Sequence, residues 1–290
     1  FTRDGFHFDA GVRALEDAGI IFPMLQDLGI HLDVVKSPVS LGVENEIIHI
    51  EGHNSLPEYR ELLARLFPES KDEADKVIQV IRKIMKHMDV LYGIENPVFK
   101  DLKRDRTFVF RKLLPWLPKF LLTVGKINRL NMPVEDYLKK FVKNPSLRDI
   151  ISQHFFKNTP AFFAMSYFSL YLDYFYPRGG VGKLEDALRN KIAEQGGEIL
   201  TDTEIAGVKA GKNILTDRNN ITYEYGKLIW AADLKTLYRI TETEGLPQSV
   251  KAMSEDARNK FFKNRGGDSV FSLFVEVDEP LENFRKIAHG

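Results

Sequence analysis

The sequence predicts an α/β fold in two domains, and three observations support that prediction. The chain has 290 residues, which is more than one ordinary core needs. Hydrophobic residues make up 43% and charged residues 28%, the balance of a globular protein. Apolar side chains recur with helical spacing through much of the chain up to residue 176, whereas the last third places short β-branched runs after a helix.

Composition excludes several classes of function. Lysine plus arginine total 41 and aspartate plus glutamate also total 41, so no net charge attracts nucleic acid. The chain has no cysteine, which excludes disulfides, cysteine-ligated metals and thiol nucleophiles. No apolar run reaches the roughly 20 residues that span a bilayer. We therefore expect a cytoplasmic protein, and the first residue, Phe1, suggests an excised fragment.

The first half predicts a small sheet followed by helices. Residues 16–29 are predicted to form a helix that ends at Gly29. The predicted strands of one antiparallel meander are residues 34–35, 40–43 and 46–50. Ser55 with Glu58, and Ser70 with Glu73, have capping-box spacing, which predicts helices over 56–67 and 71–92. Residues 133–174 continue the helical pattern.

The last third predicts a helix, a strand, a hairpin and a further strand. The helix follows Gly182 and ends at Gly196 and Gly197. The predicted strands are residue 199 and residues 205–208, 214–215, 221–225, 228–231 and 270–277. The apolar run 228–232 is typical of a strand buried on both faces in a parallel sheet. Helices are predicted over 234–240 and 246–262.

A glycine-rich turn precedes the helix near residue 182, with the sequence RGGVG at residues 178–182. Glycines ahead of a helix N-terminus let backbone N–H groups approach a phosphate or a flat cofactor. The turn lacks the third glycine of a dinucleotide fingerprint and follows no apolar strand. A simple turn into a helix explains the same residues.

These residues resemble the phytoene desaturase and retinol saturase group of FAD-dependent oxidoreductases. The matching runs are FYPRGGVGKL at 175–184, GGEI at 196–199, Glu204, Ile205 and Val208, IWAAD at 229–233, GFHFDAG at 5–11 and VEVDEP at 275–280. The resemblance implies an incomplete FAD/NAD(P)-binding, Rossmann-like domain with a mixed-sheet and helical substrate domain. It assigns residues 1–15 and 177–245 to the FAD domain, and 16–176 and 246–290 to the substrate domain.

The resemblance also implies the cofactor, FAD, and a set of residues around it. Asp9 and Gly11 would lie beside the flavin, and Arg178, Gly179 and Gly180 would line the isoalloxazine or substrate entrance. Ile205 would contact adenine through its backbone, and Ala231, Ala232 and Asp233 would close the adenosine side. Simpler explanations are a helix cap for Asp9 and buried strand positions for Ile205 and Ala231.

The implied activity is hydride transfer between flavin and a long apolar isoprenoid such as a carotenoid or retinoid. A flavin amine or porphyrinogen oxidase and a non-catalytic lipid-binding module are the alternatives. The family's GxGxxG loop and its closing flavin-contacting segment would lie outside residues 1–290. We therefore expect this chain alone to be inactive.

Other candidate groups have weaker patterns. Imidazole side chains can act as acid or base near neutral pH, which makes His7 and His154 candidates, although a half-buried structural histidine is the stronger explanation for His7. Glu44 and Glu46 form no metal-ligand spacing, and no metal is predicted.

Residues 100–129 are basic and apolar together, with nine lysines or arginines against Asp101 and Asp105. This mixture is typical of a segment that binds the surface of an anionic membrane. A helical surface packed on its own core is the alternative. Pro115 and Pro118 are expected to prevent one uninterrupted helix.

Overall fold

A computed structural model describes residues 1–9, 11–12, 14–17, 19–52, 54–152, 155–264 and 270–286. Contacts divide the chain into two compact units: a larger unit of Phe1–Gln195 with Leu273–Gly290, and a smaller unit of Gly196–Ser272. This division follows packing, so the predicted assignment of residues to cofactor and substrate domains stays a prediction.

Helices and short strands alternate as the sequence predicts, and the α/β class is confirmed. The strands are β1 Thr2–Arg3, β2 Phe6–His7, β3 Leu15–Glu16, β4 Val34–Lys36, β5 Val39–Val43, β6 Glu46–Ile50, β7 Tyr174–Pro177, β8 Ile205–Lys209, β9 Ile214–Asp217, β10 Thr222–Glu224 and β11 Thr241–Glu242. The helices are α1 Ile21–Asp27, α2 Ser55–Leu66, α3 Lys71–Leu91, α4 Arg106–Phe108, α5 Leu114–Ile127, α6 Val134–Leu138, α7 Pro145–Ser152, α8 Ala161–Leu170, α9 Gly182–Glu194, α10 Leu234–Ile240, α11 Gln248–Lys263 and α12 Leu281–Arg285.

The larger unit contains a sheet whose strands come from distant parts of the sequence. Strand β7 lies between β3 and β4 and is antiparallel to both. Strands β5 and β6 instead form a separate hairpin, with Leu41 opposite Ile48. The predicted meander is therefore wrong in its connectivity, because β4 pairs with β7 from far along the chain. The predicted helix over 16–29 is shorter, since Glu16 belongs to β3.

The core of the larger unit lies between the β5–β6 hairpin and helices α2, α3, α6, α7 and α8. Leu62, Val77, Val134 and Leu147 are completely buried there. Helix α3 places Val77, Ile81 and Ile84 on one face, the spacing that the sequence shows. The predicted helices over 56–67 and 71–92 are thus confirmed to within a residue or two.

The two predicted capping boxes are not formed, although their serines do lie at helix starts. Ser55 Oγ accepts a hydrogen bond from the Glu51 backbone N–H at 3.1 Å. Ser70 Oγ accepts from the Asn144 side chain at 3.0 Å, and Glu73 accepts from the backbone N–H groups of residues 143 and 144. These polar side chains join the starts of α2 and α3 to neighbouring segments instead of to their own helices.

The smaller unit contains a four-stranded sheet in the order β10–β9–β8–β11, in which only the β8–β11 pair is parallel. Its helices α10 and α11 confirm the helices predicted for that region. Helix α9 of the larger unit ends as predicted, but the residue with positive φ there is Gly196 (φ 76°). That conformation favours glycine and terminates the helix.

Three predicted strands are wrong. Residue 199 is irregular, and Ile199 is 48% exposed. Residues 228–232 are irregular, and Ile229 is 90% exposed. Residues 270–277 form no strand either, and Phe271 is 90% exposed. A strand needs a hydrogen-bonded neighbour, and within the described residues the four-stranded sheet is completed without any of these segments.

The basic segment is helical from Arg106 to Ile127, but a π-helical turn interrupts the α-helix before Pro115, whereas Pro118 does not interrupt it. Helix α4 leads into a π-helical turn, Val109–Leu113, and then into α5. Pro115 lies in the first turn of α5, where the missing N–H matters little, and Pro118 lies inside α5. The wider π turn comes directly before Pro115, where an α-helical bond from that residue to the Arg111 carbonyl is impossible.

Candidate functional site

Asp9 and the residues around the glycine-rich turn meet in the larger unit. The Tyr176 hydroxyl donates a hydrogen bond to Asp9 Oδ2 at 2.5 Å, and the Val181 backbone N–H donates to Asp9 Oδ1 at 3.2 Å. The bond to the Asp9 carboxylate, helped by partial burial, raises the pKa of Tyr176. Asp9 thus binds the residue before α9 from a distant segment, but it does not cap α9 itself.

The turn itself has the backbone that only glycine adopts easily. Gly179 has φ 89° and Gly180 has φ 99°. A Cβ at Gly180 would lie 3.3 Å from Asp9 Oδ1, and one at Gly179 would lie 3.0 Å from Lys183 Cε. Gly180 N–H bonds to the Pro177 carbonyl at 3.1 Å, which fixes the turn at the end of β7.

Arg178 lies at the edge of this site, whereas Gly11 is connected to it only through the sequence, two positions after Asp9. The Arg178 backbone N–H bonds to the Asp33 carbonyl, and its guanidinium lies 3.5 Å from the Asp33 carboxylate with both side chains mostly exposed. Gly11 has φ 102°, and among the described residues no atom lies within 4 Å of a notional Cβ there. The structure therefore brings Asp9, Gly179 and Gly180 together, with Arg178 adjacent.

The remaining predicted residues belong to the smaller unit. Ile205 begins β8 opposite Asp217 of β9, and among the described residues β11 pairs with β8 only from Val208 onward. The backbone edge of Ile205 on that side is therefore without a ladder partner in the described chain. This is the kind of edge a purine can bond. The adenine contact of Ile205 stays a prediction.

Ala231, Ala232 and Asp233 form an exposed approach to α10. Asp233 Oδ2 accepts from the Thr236 hydroxyl at 2.7 Å and from its backbone N–H at 2.6 Å, and these bonds lower the pKa of Asp233. Asp233 is therefore the N-cap of α10. The buried-strand explanation of Ala231 is wrong because that residue is exposed.

A groove of about 1380 Å³ opens elsewhere on the larger unit. Its walls are formed by residues 17, 19, 20, 23, 26 and 27, by residues 91–100, and by helical residues between 111 and 120. The apolar part of the lining comprises Ile20, Leu91, Tyr92, Phe99, Trp116 and Phe120. Trp116 is fixed by a hydrogen bond from its Nε1 to the Val90 carbonyl at 2.6 Å, and its ring centroid lies 4.4 Å from that of Phe120.

An acidic cavity of about 320 Å³ meets this groove at Asp17 and Tyr92. Its lining includes the four carboxylates of Glu16, Asp17, Asp89 and Asp173. Burial, and after it the nearby Glu16 carboxylate, raises the pKa of Tyr92. The hydroxyl of Ser169, which also lines the cavity, is buried with no hydrogen-bond partner in the described part of the chain.

Sequence reasoning missed both Tyr176 as the partner of Asp9 and the acidic cavity. Tyr176 is 167 positions from Asp9, and the four carboxylates are spread over α3, β3 and the approach to β7, so no local spacing could join them. His7 lies in the β1–β2 hairpin, where its Nδ1 is 2.8 Å from the Thr2 hydroxyl. His154 lies outside the described residues. Within the described ranges no group of three or more histidines and carboxylates could hold a metal ion.

Comparisons with known proteins give one family. A model of the flavin containing amine oxidoreductase family matches residues 1–286. Among solved structures, a crystal structure of a protein from Pyrococcus furiosus is similar at 13% identity with a TM-score of 0.48, covering 84% of this chain and 50% of that one. The chain thus spans about half the length of that relative. No curated protein matches.

Proposed function

Because the chain belongs to the flavin-containing amine oxidoreductase family, we propose that it is part of an FAD-dependent oxidoreductase whose substrate is a long apolar isoprenoid, such as a carotenoid or retinoid. The family implies the cofactor FAD, as the resemblance did. FAD supplies the redox chemistry by taking up or releasing a hydride. The protein binds and orients the substrate.

The residues at the glycine turn fit a flat cofactor. Because Gly179 and Gly180 have no side chains, their backbone can be approached closely by a ring system. A β-carbon at either position would crowd Lys183 or Asp9. Asp9 and Tyr176 hold the turn in place. We propose that Gly179 and Gly180 face the flavin, with Arg178 at the entrance.

The size and the apolar lining of the groove support the proposed substrate. Its volume of about 1380 Å³ exceeds the roughly 300–1,000 Å³ of pockets for drug-sized ligands. Its rings and aliphatic side chains favour apolar ligands by about 25 cal/mol for each Å² removed from water.

Strand β7 connects the groove region to the glycine turn. The backbone N–H of Asp17, in the groove wall, bonds to the carbonyl of Asp173, the residue before β7. Gly179 follows Asp173 by six positions. An extended chain of that length reaches at most about 20 Å. The separation is therefore short enough for one extended ligand, such as an isoprenoid, to reach from this part of the groove wall to the turn.

The acidic cavity favours a second candidate, oxidation of an amine. Four carboxylates around one cavity suit a cationic ligand, and the unpartnered Ser169 hydroxyl offers it a further hydrogen bond. The family description names amine oxidoreductases, and this activity fits it directly. An extended polyamine would place one ammonium group among Glu16, Asp17, Asp89 and Asp173.

Ligand fluorescence separates the two candidates. The chain has two tryptophans, so a Trp230→Phe variant reports from Trp116 alone. We expect retinol to quench Trp116 saturably, with affinity lowered at least tenfold by Phe120→Ala and unchanged by Phe284→Ala on α12. Spermine should not quench Trp116.

Flavin chemistry gives an independent result. With FAD added and oxygen excluded, bleaching of the flavin by spermine but not by a polyene would replace the isoprenoid proposal with the amine one. Absence of retinol quenching would contradict the assignment of the groove.

A further inference from the structure

Helix α5 and the π-helical turn before it expose a row of large apolar side chains. We name this row the leucine face. Its members are Phe110, Leu114, Leu117, Leu121 and Leu122, which are 66%, 48%, 38%, 61% and 69% exposed. Residues 114, 117 and 121 follow the i, i+3, i+7 spacing of one helix face, and 122 extends it sideways. Isolated exposed leucines are ordinary, but a contiguous row marks a contact surface.

The opposite side of α5 is already anchored. Trp116, Phe120 and Thr123 lie within about 60° of one another around the helix axis, on the inner face, and Thr123 is only 5% exposed. The hydrogen bond from Trp116 to Val90 and its ring contact with Phe120 fix the rotation of the helix. The leucine face therefore cannot turn inward without breaking these contacts.

The charges around the leucine face favour one kind of occupant. No aspartate or glutamate occurs from residue 106 to residue 134, whereas this stretch contains six cations: Arg106, Arg111, Lys112, Lys119, Lys126 and Arg129. In the described part of the chain only Lys112 among them is ion-paired, with Glu95 at 2.8 Å. A second copy of the chain would bring like charges together. Anionic lipid head groups would instead be attracted.

We propose that the leucine face docks the protein on the surface of an anionic lipid bilayer. Helix α5 then lies in the plane of the interface, with its leucines in the acyl boundary and its lysines and arginines among the phosphates. None of the helices in the described ranges has the length and apolarity to cross a bilayer. The inference does not depend on the identity of the substrate.

Vesicle co-sedimentation tests this proposal on the full chain. The probes are phosphatidylcholine vesicles with and without phosphatidylserine, at low and high salt. We expect binding that requires phosphatidylserine and weakens with salt. Leu121→Gln with Leu122→Gln should reduce binding at least tenfold without changing the melting temperature, because both side chains are exposed. The matched control is Val250→Gln with Met253→Gln on α11, where the side chains are 42% and 72% exposed.

A second pair of variants tests the charge. Lys119→Gln with Lys126→Gln should weaken binding by about fivefold for each lysine removed, the equivalent of about 1 kcal/mol each. Lys212→Gln with Lys260→Gln, outside the segment, should leave binding unchanged. Equal binding by wild type and the leucine variant would overturn the proposal, as would failure of the wild type to bind. A dimer that the leucine substitutions dissociate in the absence of lipid would identify a second copy as the occupant and also overturn it.

Discussion

Replacing Gly180 by alanine should destabilise the protein more than the same change at Gly196. Both glycines have positive φ, 99° and 76°, so alanine is strained at each by about 1–3 kcal/mol. The difference between them is the neighbourhood. A Cβ at Gly180 lies 3.3 Å from Asp9 Oδ1, whereas no atom of the described residues lies within 4 Å of one at Gly196.

The extra cost at Gly180 comes from displacing Asp9. Moving that carboxylate weakens its hydrogen bonds from the Tyr176 hydroxyl and the Val181 N–H. A hydrogen bond to a charged group contributes about 1.5–3 kcal/mol, and a partial loss of two of them gives about 1–3 kcal/mol. We therefore expect the free energy of unfolding to fall by about 2–6 kcal/mol for Gly180→Ala and about 1–3 kcal/mol for Gly196→Ala.

Two measurements check this reasoning. Urea unfolding gives the two losses of stability. Ultraviolet titration of tyrosinate, compared in each background with and without Tyr176→Phe, gives the pKa of Tyr176. The hydrogen bond to Asp9 is the main cause that raises this pKa, so it should fall in Gly180→Ala and stay raised in Gly196→Ala. Equal losses of stability together with an unchanged Tyr176 titration would refute the proposed coupling of the turn to Asp9.

Three further predictions concern packing and charge. Leu62→Ala, at a fully buried position, should lower the free energy of unfolding by about 2–5 kcal/mol, whereas Leu122→Ala, at a side chain 69% exposed, should change it by less than about 0.5 kcal/mol; urea unfolding compares them. Burial raises the pKa of Tyr171 to about 12. The neutral hydroxyl therefore makes its full contribution to the free energy of unfolding below pH 10, and that contribution is lost as the pH rises toward 12. In Tyr171→Phe the free energy of unfolding should fall less steeply with rising pH in that window, by up to about 1.4 kcal/mol per pH unit. An unchanged slope would contradict this prediction. Lys100 and Lys112 lower the pKa of Glu95 to about 2, so Lys112→Gln should raise it in a carboxyl NMR titration, and no change would contradict the ion pair.

The sequence by itself determined the helices and the local hairpin. Helix α3 and the β5–β6 hairpin occur where apolar residues repeat every 3.6 and every 2 positions, as predicted. Their hydrogen bonds are local, and each apolar face is formed by residues close together in the sequence. The resemblance carried by the proline-arginine-glycine-glycine run also led to the superfamily of FAD-dependent oxidoreductases, which the family match supports. The positive φ of Gly179 and Gly180 agrees with their sequence pattern, since few other residues tolerate it.

Only the tertiary structure decided which distant segments meet. The apolar run 228–232 reads as a buried strand, but a strand exists only where another pairs with it, and Ile229 is exposed. The contact between Asp9 and Tyr176 joins residues 167 positions apart. Which side of α5 faces outward was likewise open, because apolar side chains surround much of that helix. The hydrogen bond from Trp116 to the end of α3 fixes the rotation of α5. Long-range contacts of this kind depend on packing that no local pattern encodes.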